Sequence, residues 1–207
     1  MFSKFLSLEP ERRNAILNAA LKEFARKGYD EASTNVIAKE AGISKPLMFH
    51  YVNNKKDFFL SLYDYCLEVL EREYFSQINL DEKDIFQRLR QTCLLKIQLM
   101  QKHPWIFDFT RVAVYADSEV VRDELAKRRK MVETSLYERF YGDIDTSCFR
   151  SELDAEKSKQ LIFWAVGGYA NQILEQFKSA DVLEFDFEKI CNEFDGYLNE
   201  LRKAFYK

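Results

Sequence analysis

The residues with the most chemistry to offer lie between positions 33 and 58, which read STNVIAKEAGISKPLMFHYVNNKKDF. Ser33 or Thr34 can cap a short helix, and Ser44 can cap a second one only a tight turn later. Ala38 and Ala41 let two such helices approach closely. Gly42 accepts the conformation of the turn, and Ile43 fills the gap beneath it. The second helix then presents Lys45, Leu47, Phe49 and His50 outward or sideways, on a body whose size suits the major groove of duplex DNA. A short helix, a glycine turn and a second short helix exposing small and polar groups make a helix-turn-helix pattern. Its chemistry is recognition by contact, with no bond made or broken.

Arrangements suited to catalysis do not compete with it. The residues three before His50 and His103 are Leu47 and Met100, so neither histidine belongs to the Glu-x-x-His pair of a di-metal helical bundle. There is no Gly-rich phosphate loop and no Cys/His or Ser/His spacing that singles out a nucleophile. Cys66, Cys93, Cys148 and Cys191 are far apart without a C-x-x-C, and read as buried, reduced thiols. No enzymatic activity, metal or cofactor is expected. A helical scaffold that binds protein partners is the competing class, and it would not need a helix-turn-helix.

The elements that must position this segment are helices. Only 6 Gly and 3 Pro occur in 207 residues, so turn signals are scarce, while a 47% hydrophobic and 15% aromatic composition suits a well-packed core. The periodicity predicts nine helices and no strand. The first starts at Pro10, carries Ile16, Leu17, Ala20, Leu21 and Phe24, and stops at Gly28. The second and third form the segment above. A fourth follows Asn53-Asn54 with two adjoining apolar stripes. A fifth starts at an Asp84/Gln87 capping box and ends before Pro104. The sixth spans 105–115, the seventh runs from Asp117 or Ser118 to near Gly142, and 143–153 is a loop. Asp154 caps the eighth, and Asp186 caps the ninth with a staple between Phe185 and Ile190.

Charge is uneven along the chain. Residues 1–60 hold 10 Lys/Arg against 7 Asp/Glu, a net of +3, and the remainder holds 21 against 27, a net of −6. A mildly basic head on an acidic body permits a DNA-contacting surface at one end. No apolar run reaches membrane-spanning length, and the start, MFSKFLSLEPERR, lacks the apolar core of a signal peptide. The expected location is cytoplasmic.

The run Ile37-Ala38-x-x-Ala41-Gly42-Ile43-Ser44, followed by Pro46-x-Met48-Phe49-His50-Tyr51-Val52-x-Asn54-Lys55-Lys56-x-Phe58, resembles the signature of the TetR family of bacterial regulators. The upstream Phe24-Ala25-Arg26-Lys27-Gly28-Tyr29 and the Ser33-Thr34 pair also sit where that family has them. Pro46 departs from the usual glycine, and Phe49 from the usual tyrosine, which removes a hydroxyl from the phosphate contacts. The resemblance implies an all-α protein with a three-helix DNA-binding domain over 1–54. A larger helical domain for ligand sensing and dimerisation would occupy 55–207. It implies a homodimer on double-stranded operator DNA, repression, and release by an unidentified small molecule. Thr34 and Ser44 would meet phosphates at helix N-termini, where free N–H groups suit anions. Lys45 and Leu47 would face base edges, His50 the backbone or a base, and Lys55 a phosphate.

In the body, Ala165, Gly167, Gly168 and Ala170 allow close helix approach. With the aromatic stripe of the ninth helix they suggest a two-fold four-helix interface, with Ala165, Gly168, Phe194, Leu198 and Leu201 as its residues. A ligand pocket is expected among Tyr63, Phe86, Trp105, Phe109 and Tyr115.

Overall fold

The computed structural model describes Phe5 and residues 7–133, 136–179 and 186–207, with side chains apart from those of 129–138, 174, 175 and 177–179. Its regular elements among the described residues are helices, joined by one 3-10 turn and one isolated β-bridge. Among the described residues the chain is all-α, with a three-helix head followed by a larger helical region. It divides into two compact units that cut across the chain order. The first comprises Met1–Glu73 and Lys102–Thr134, the second Tyr74–Gln101 and Ser135–Lys207. This division differs from the one expected at residue 54, because the fourth helix buries its apolar residues in the same unit as the head.

In the first unit, α1 (Pro10–Glu31) begins with proline at its opening position, where no amide is needed. Ile16, Leu17, Ala20, Leu21 and Phe24 recur at helical spacing and are buried. Gly28 then breaks the helix with φ 67° and ψ −172°, a region open essentially to glycine alone. The next helices are α2 (Thr34–Glu40), α3 (Lys45–Val52) and α4 (Lys55–Glu73). Phe58, Phe59, Leu62, Tyr63, Cys66 and Val69 of α4 are all buried. α6 (Ile106–Val114) packs on α1 and α4. The centre of this unit is aromatic: Phe24 and Phe59 meet edge to face at 4.9 Å, and Phe109 lies 5.2 Å from Phe59. α7 (Arg122–Glu133) completes the unit, held to α4 by Arg128, whose Nε donates to Asp64 at 2.7 Å. It starts later than the sequence suggests, after a turn in which the Val121 and Arg122 amides donate to the Ser118 carbonyl, while the Ser118 hydroxyl donates to Asp30 at 2.8 Å.

The second unit contains α5 (Ile85–Lys102, apart from its last residue), α8 (Leu136–Tyr141), α9 (Ala155–Ser179) and α10 (Phe187–Phe205). Asp84 caps α5 by accepting from the amides of Phe86 and Gln87, and its carboxylate also holds Arg202 of α10. Asp154 and Asp186 accept from the third amide of α9 and α10, as capping residues do. Phe185 lies outside the described residues. The fully buried Arg88 is a hub: it donates to the carbonyls of Phe140, Leu80 and Glu82 and to the carboxylate of Asp143. The loop 143–153 is pinned to the end of α10 through a bridge between Phe149 and Tyr206. The four thiols are unbonded, but only Cys66 is buried; Cys93 and Cys191 are half-buried, and Cys148 is exposed on the pinned loop. No described helix is long and apolar enough to cross a membrane.

Candidate nucleic-acid interface

The turn between α2 and α3 is built by backbone hydrogen bonds. The Ile43 amide donates to the Ala38 carbonyl at 3.0 Å, and the Gly42 amide to Lys39 at 3.1 Å. Gly42 sits at φ +67°, so the pair forms a Schellman ending that satisfies the last carbonyls of α2. Ser44 follows in extended conformation and its hydroxyl accepts from the Leu47 amide at 3.4 Å. Pro46 stands in the first turn of α3, where proline is tolerated. Met48 and Val52 turn inward. At the far end Asn53 takes φ +64°, and the side-chain Oδ1 of Asn54 caps α4 by accepting from the Asp57 amide at 2.8 Å. Thus α3 is bounded on both sides by residues in left-handed conformation. α2 is held to α1 by the Lys22–Glu40 ion pair and by the Ser33 amide, which donates to Glu23 at 2.9 Å.

Of the residues expected to touch DNA, Ser44, Lys45 and His50 are exposed, while Thr34, Leu47 and Lys55 are half-buried. Thr34 opens α2 and Ser44 precedes α3, so both hold helix N-termini. The Lys45 ammonium hovers 5.8 Å from the Phe49 ring. Lys55 is drawn inward: its ammonium donates to the Asp30 carbonyl at 3.0 Å and lies 4.9 Å over the Tyr29 ring. It locks the start of α4 to the end of α1.

A match to the model of the bacterial regulatory proteins of the tetR family covers residues 16–62, which is this head from mid-α1 into α4. Residues 16–62 are thus similar to the DNA-binding head of TetR-family regulators. The nucleoid occlusion factor SlmA of Vibrio cholerae serotype O1 is 27% identical over 133 residues, 60% of this chain and 64% of that one, so the match spans just under two thirds of the relative's length. The HTH-type transcriptional repressor BepR of Brucella suis biovar 1 is 23% identical over 180 residues, 84% of this chain and 85% of its own. Solved TetR-family structures share the fold. One is AibR in complex with isovaleryl coenzyme A and operator DNA, with a TM-score of 0.59, 20% identity, and coverage of 91% of this chain and 97% of that one.

The residues expected to line a ligand pocket are divided between the two units. Tyr63 and Phe109 are sealed in the first unit's core, Tyr115 is 79% exposed, and Trp105 lies beneath the Arg26 guanidinium at 5.0 Å. Phe86 belongs to the second unit, against Tyr206 and Arg202. Aromatic stripes here are core. One cavity of the second unit, about 260 Å³, is lined by α5, α9 and α10 with Tyr74 and Tyr141. Lys96 and Gly167 are on its wall; the sequence reading passed over Lys96 and took Gly167 for a residue of close helix approach. The signal for Lys96 was its place beside the apolar stripe of Cys93, Ile97 and Met100.

The expected dimer residues divide. Ala165 and Gly168 are exposed on α9, and Leu201 is half-buried on α10. Phe194 and Leu198 are instead 3% and 5% exposed, inside their own unit's core, with Phe194 stacked on Tyr169 at 5.6 Å. They are on the stripe that closes the protomer. The apolar face left uncovered runs Leu161, Trp164, Ala165 and Gly168, one continuous helical stripe in which Trp164 is 62% exposed.

Proposed function

We propose that this protein is a TetR-type regulator, a homodimeric repressor that occupies a palindromic operator with the α2–α3 segments of both protomers. Occupation of the body by a small molecule releases it. The observation that carries the reading is the exposed stripe on α9. An apolar helical face of this length, including a tryptophan, costs free energy in water, and a second copy would cover it isologously. Two heads related by a two-fold axis read two half-sites, which makes the operator palindromic. Thr34 and Ser44 would serve phosphates, Lys45 and Leu47 base edges, His50 either, and Lys55 a phosphate once it leaves Asp30. BepR's designation as a repressor supports the sign of the regulation, and AibR's joint binding of ligand and operator supports an effector. An effector moves the equilibrium only by its differential affinity for the DNA-competent form and its alternative.

The test is fluorescence polarisation with the DNA upstream of the protein's own gene, together with native mass spectrometry. Two protomers per operator, and at least a thousandfold preference over random duplex, are expected. A monomer at micromolar concentration, or equal affinity for any duplex, overturns the reading.

A further inference from the structure

We infer that Asp57 is a positioning residue for DNA recognition: its carboxylate holds the strained joint at Asn53 and so sets the angle at which α3 meets the groove. The inference rests on the DNA-binding reading above. It names a residue that works through its neighbours and not through contact with DNA.

Strain is the first observation. Among the described residues three take a positive φ, and at two of them, Gly28 and Gly42, the chain places glycine. The third is Asn53, with φ 64° and ψ −76°. That conformation lies close to the classic γ-turn, which is rare and strained for a residue with a side chain. Glycine adopts it at less cost, so an asparagine there has to be held.

The hold is a hydrogen-bond network centred on one carboxylate. The Asn53 Nδ2 donates to Asp57 Oδ2 at 2.6 Å, and the Asn54 Nδ2 donates to the same oxygen at 2.8 Å. In return the Asn54 Oδ1 accepts from the Asp57 amide, while the Asn53 amide donates to the Phe49 carbonyl at 3.2 Å. Asp57 stands in the first turn of α4, an end that suits a negative charge. Hydrogen bonds to an ionised acceptor are the strong kind. Nearby cations are engaged elsewhere. Arg128 borders the same small hollow as Asn53 and Asp57 but pairs with Asp64 and Glu124, and Lys55 donates to the Asp30 carbonyl.

Leverage turns this hold into specificity. α3 ends at Val52 and α4 begins at Lys55, so Asn53 and Asn54 are the whole connection, and Asp57 ties down both. The eight residues of α3 span about 12 Å at ~1.5 Å per residue, so a swing of about 10° at the joint moves the far end by ~2 Å. Ser44, Lys45 and Leu47 lie at that far end. A hydrogen bond to a base edge is lost over such a displacement, whereas attraction between the head and the phosphates hardly changes. Asp57 therefore governs discrimination between sequences more than general affinity.

Asp57→Ala on the full chain separates positioning from the other roles the residue could have. It removes a negative charge from the head, so a purely electrostatic role tightens binding to every duplex. A merely structural role weakens binding to every duplex. Positioning lowers affinity for the operator by roughly tenfold or more and leaves affinity for random duplex unchanged or higher. Fluorescence polarisation with the DNA upstream of the protein's own gene, against random duplex, reads the difference. Asn53→Asp sets two carboxylates against each other and should lose the operator preference as well. Combined with Asp57→Asn it re-forms the bond with donor and acceptor exchanged, at the wild-type net charge, and should recover most of that preference. Equal loss on both duplexes, no loss, or a double variant as poor as Asn53→Asp overturns the inference. Amide hydrogen exchange on the free protein supplies an arm without DNA. Asp57→Ala should speed exchange across 45–57 while leaving 16–24 unchanged, and the double variant should again exchange more slowly than Asn53→Asp. Unchanged exchange across 45–57 in Asp57→Ala overturns the inference by itself. A wild type that does not discriminate the operator, with exchange behaving as stated, supports the hold of Asp57 on α3 and overturns the DNA-binding reading.

Discussion

Lys45 and Lys55 carry the same charge in different surroundings, and that difference separates what each contributes. Lys45 is exposed, with its ammonium 5.8 Å from the Phe49 ring. Lys45→Ala should change sequence preference as well as affinity and leave the melting temperature within about a degree, since exposed charges contribute little to stability. Lys55 donates to the Asp30 carbonyl and covers Tyr29. Lys55→Ala should weaken binding to every duplex alike and reduce the salt dependence by about one unit. It should also cost about 1 kcal/mol of stability from the lost hydrogen bond and cation–π contact. Polarisation assays across a salt series, with thermal melts of the same proteins, check both. A Lys55→Ala protein with normal stability and an unchanged salt slope would remove that residue from both roles.

Among the elements, α5 carries a side chain that gathers several neighbours around it. Arg88 draws two loop carbonyls, the end of α8 and Asp143 around one buried guanidinium. Arg88→Met should cost about 3 kcal/mol, because several buried acceptors lose their donor. The pair also predicts a pH dependence. The hydrogen bond from Arg88, helped by Lys83, holds the Asp143 carboxyl down to about 2 from its ordinary 3.8. A depressed carboxyl stabilises the fold above its ordinary value, and that stability is lost as pH falls from about 4 towards 2. Half of the Asp143 side chain is exposed, so solvent screens the effect and the loss is small. Melting temperature against pH should fall across that window in the wild type and more shallowly in Arg88→Met. Element boundaries of this kind were legible in the sequence where local backbone chemistry dictates them. Gly28, Gly42, Ser44, Pro46, Asp84, Asp154 and Asp186 each act within a few residues of themselves. What could not be read was which neighbour an apolar stripe faces. Phe194 and Leu198 fit a dimer seam as well as a core, and Phe109 fits a pocket as well as an aromatic cluster, because periodicity gives a face and not its partner. The cavity was hidden for a related reason: it lies at a meeting of three helices distant in sequence.

For the whole molecule, the proposed dimer has a clean probe in Gly168. The residue is exposed and an added Cβ meets nothing within 4 Å, so Gly168→Glu should leave the protomer folded. A carboxylate opposite its own copy at a close helix contact is costly, and the dimer should dissociate at micromolar concentration with operator affinity lost in step. Sedimentation and polarisation on the one variant decide the matter. A stable dimer that still binds the operator would locate the interface elsewhere. One consequence concerns kinetics. Gly42 and Asn53 clamp α3 at both ends, and Met48 and Val52 anchor it, so the recognition helix reaches DNA already shaped. Little ordering entropy is left to lose on contact, and collision need not wait for folding. Encounter should therefore be equally quick on right and wrong sequences, with the distinction between them lodged in how long the protein stays.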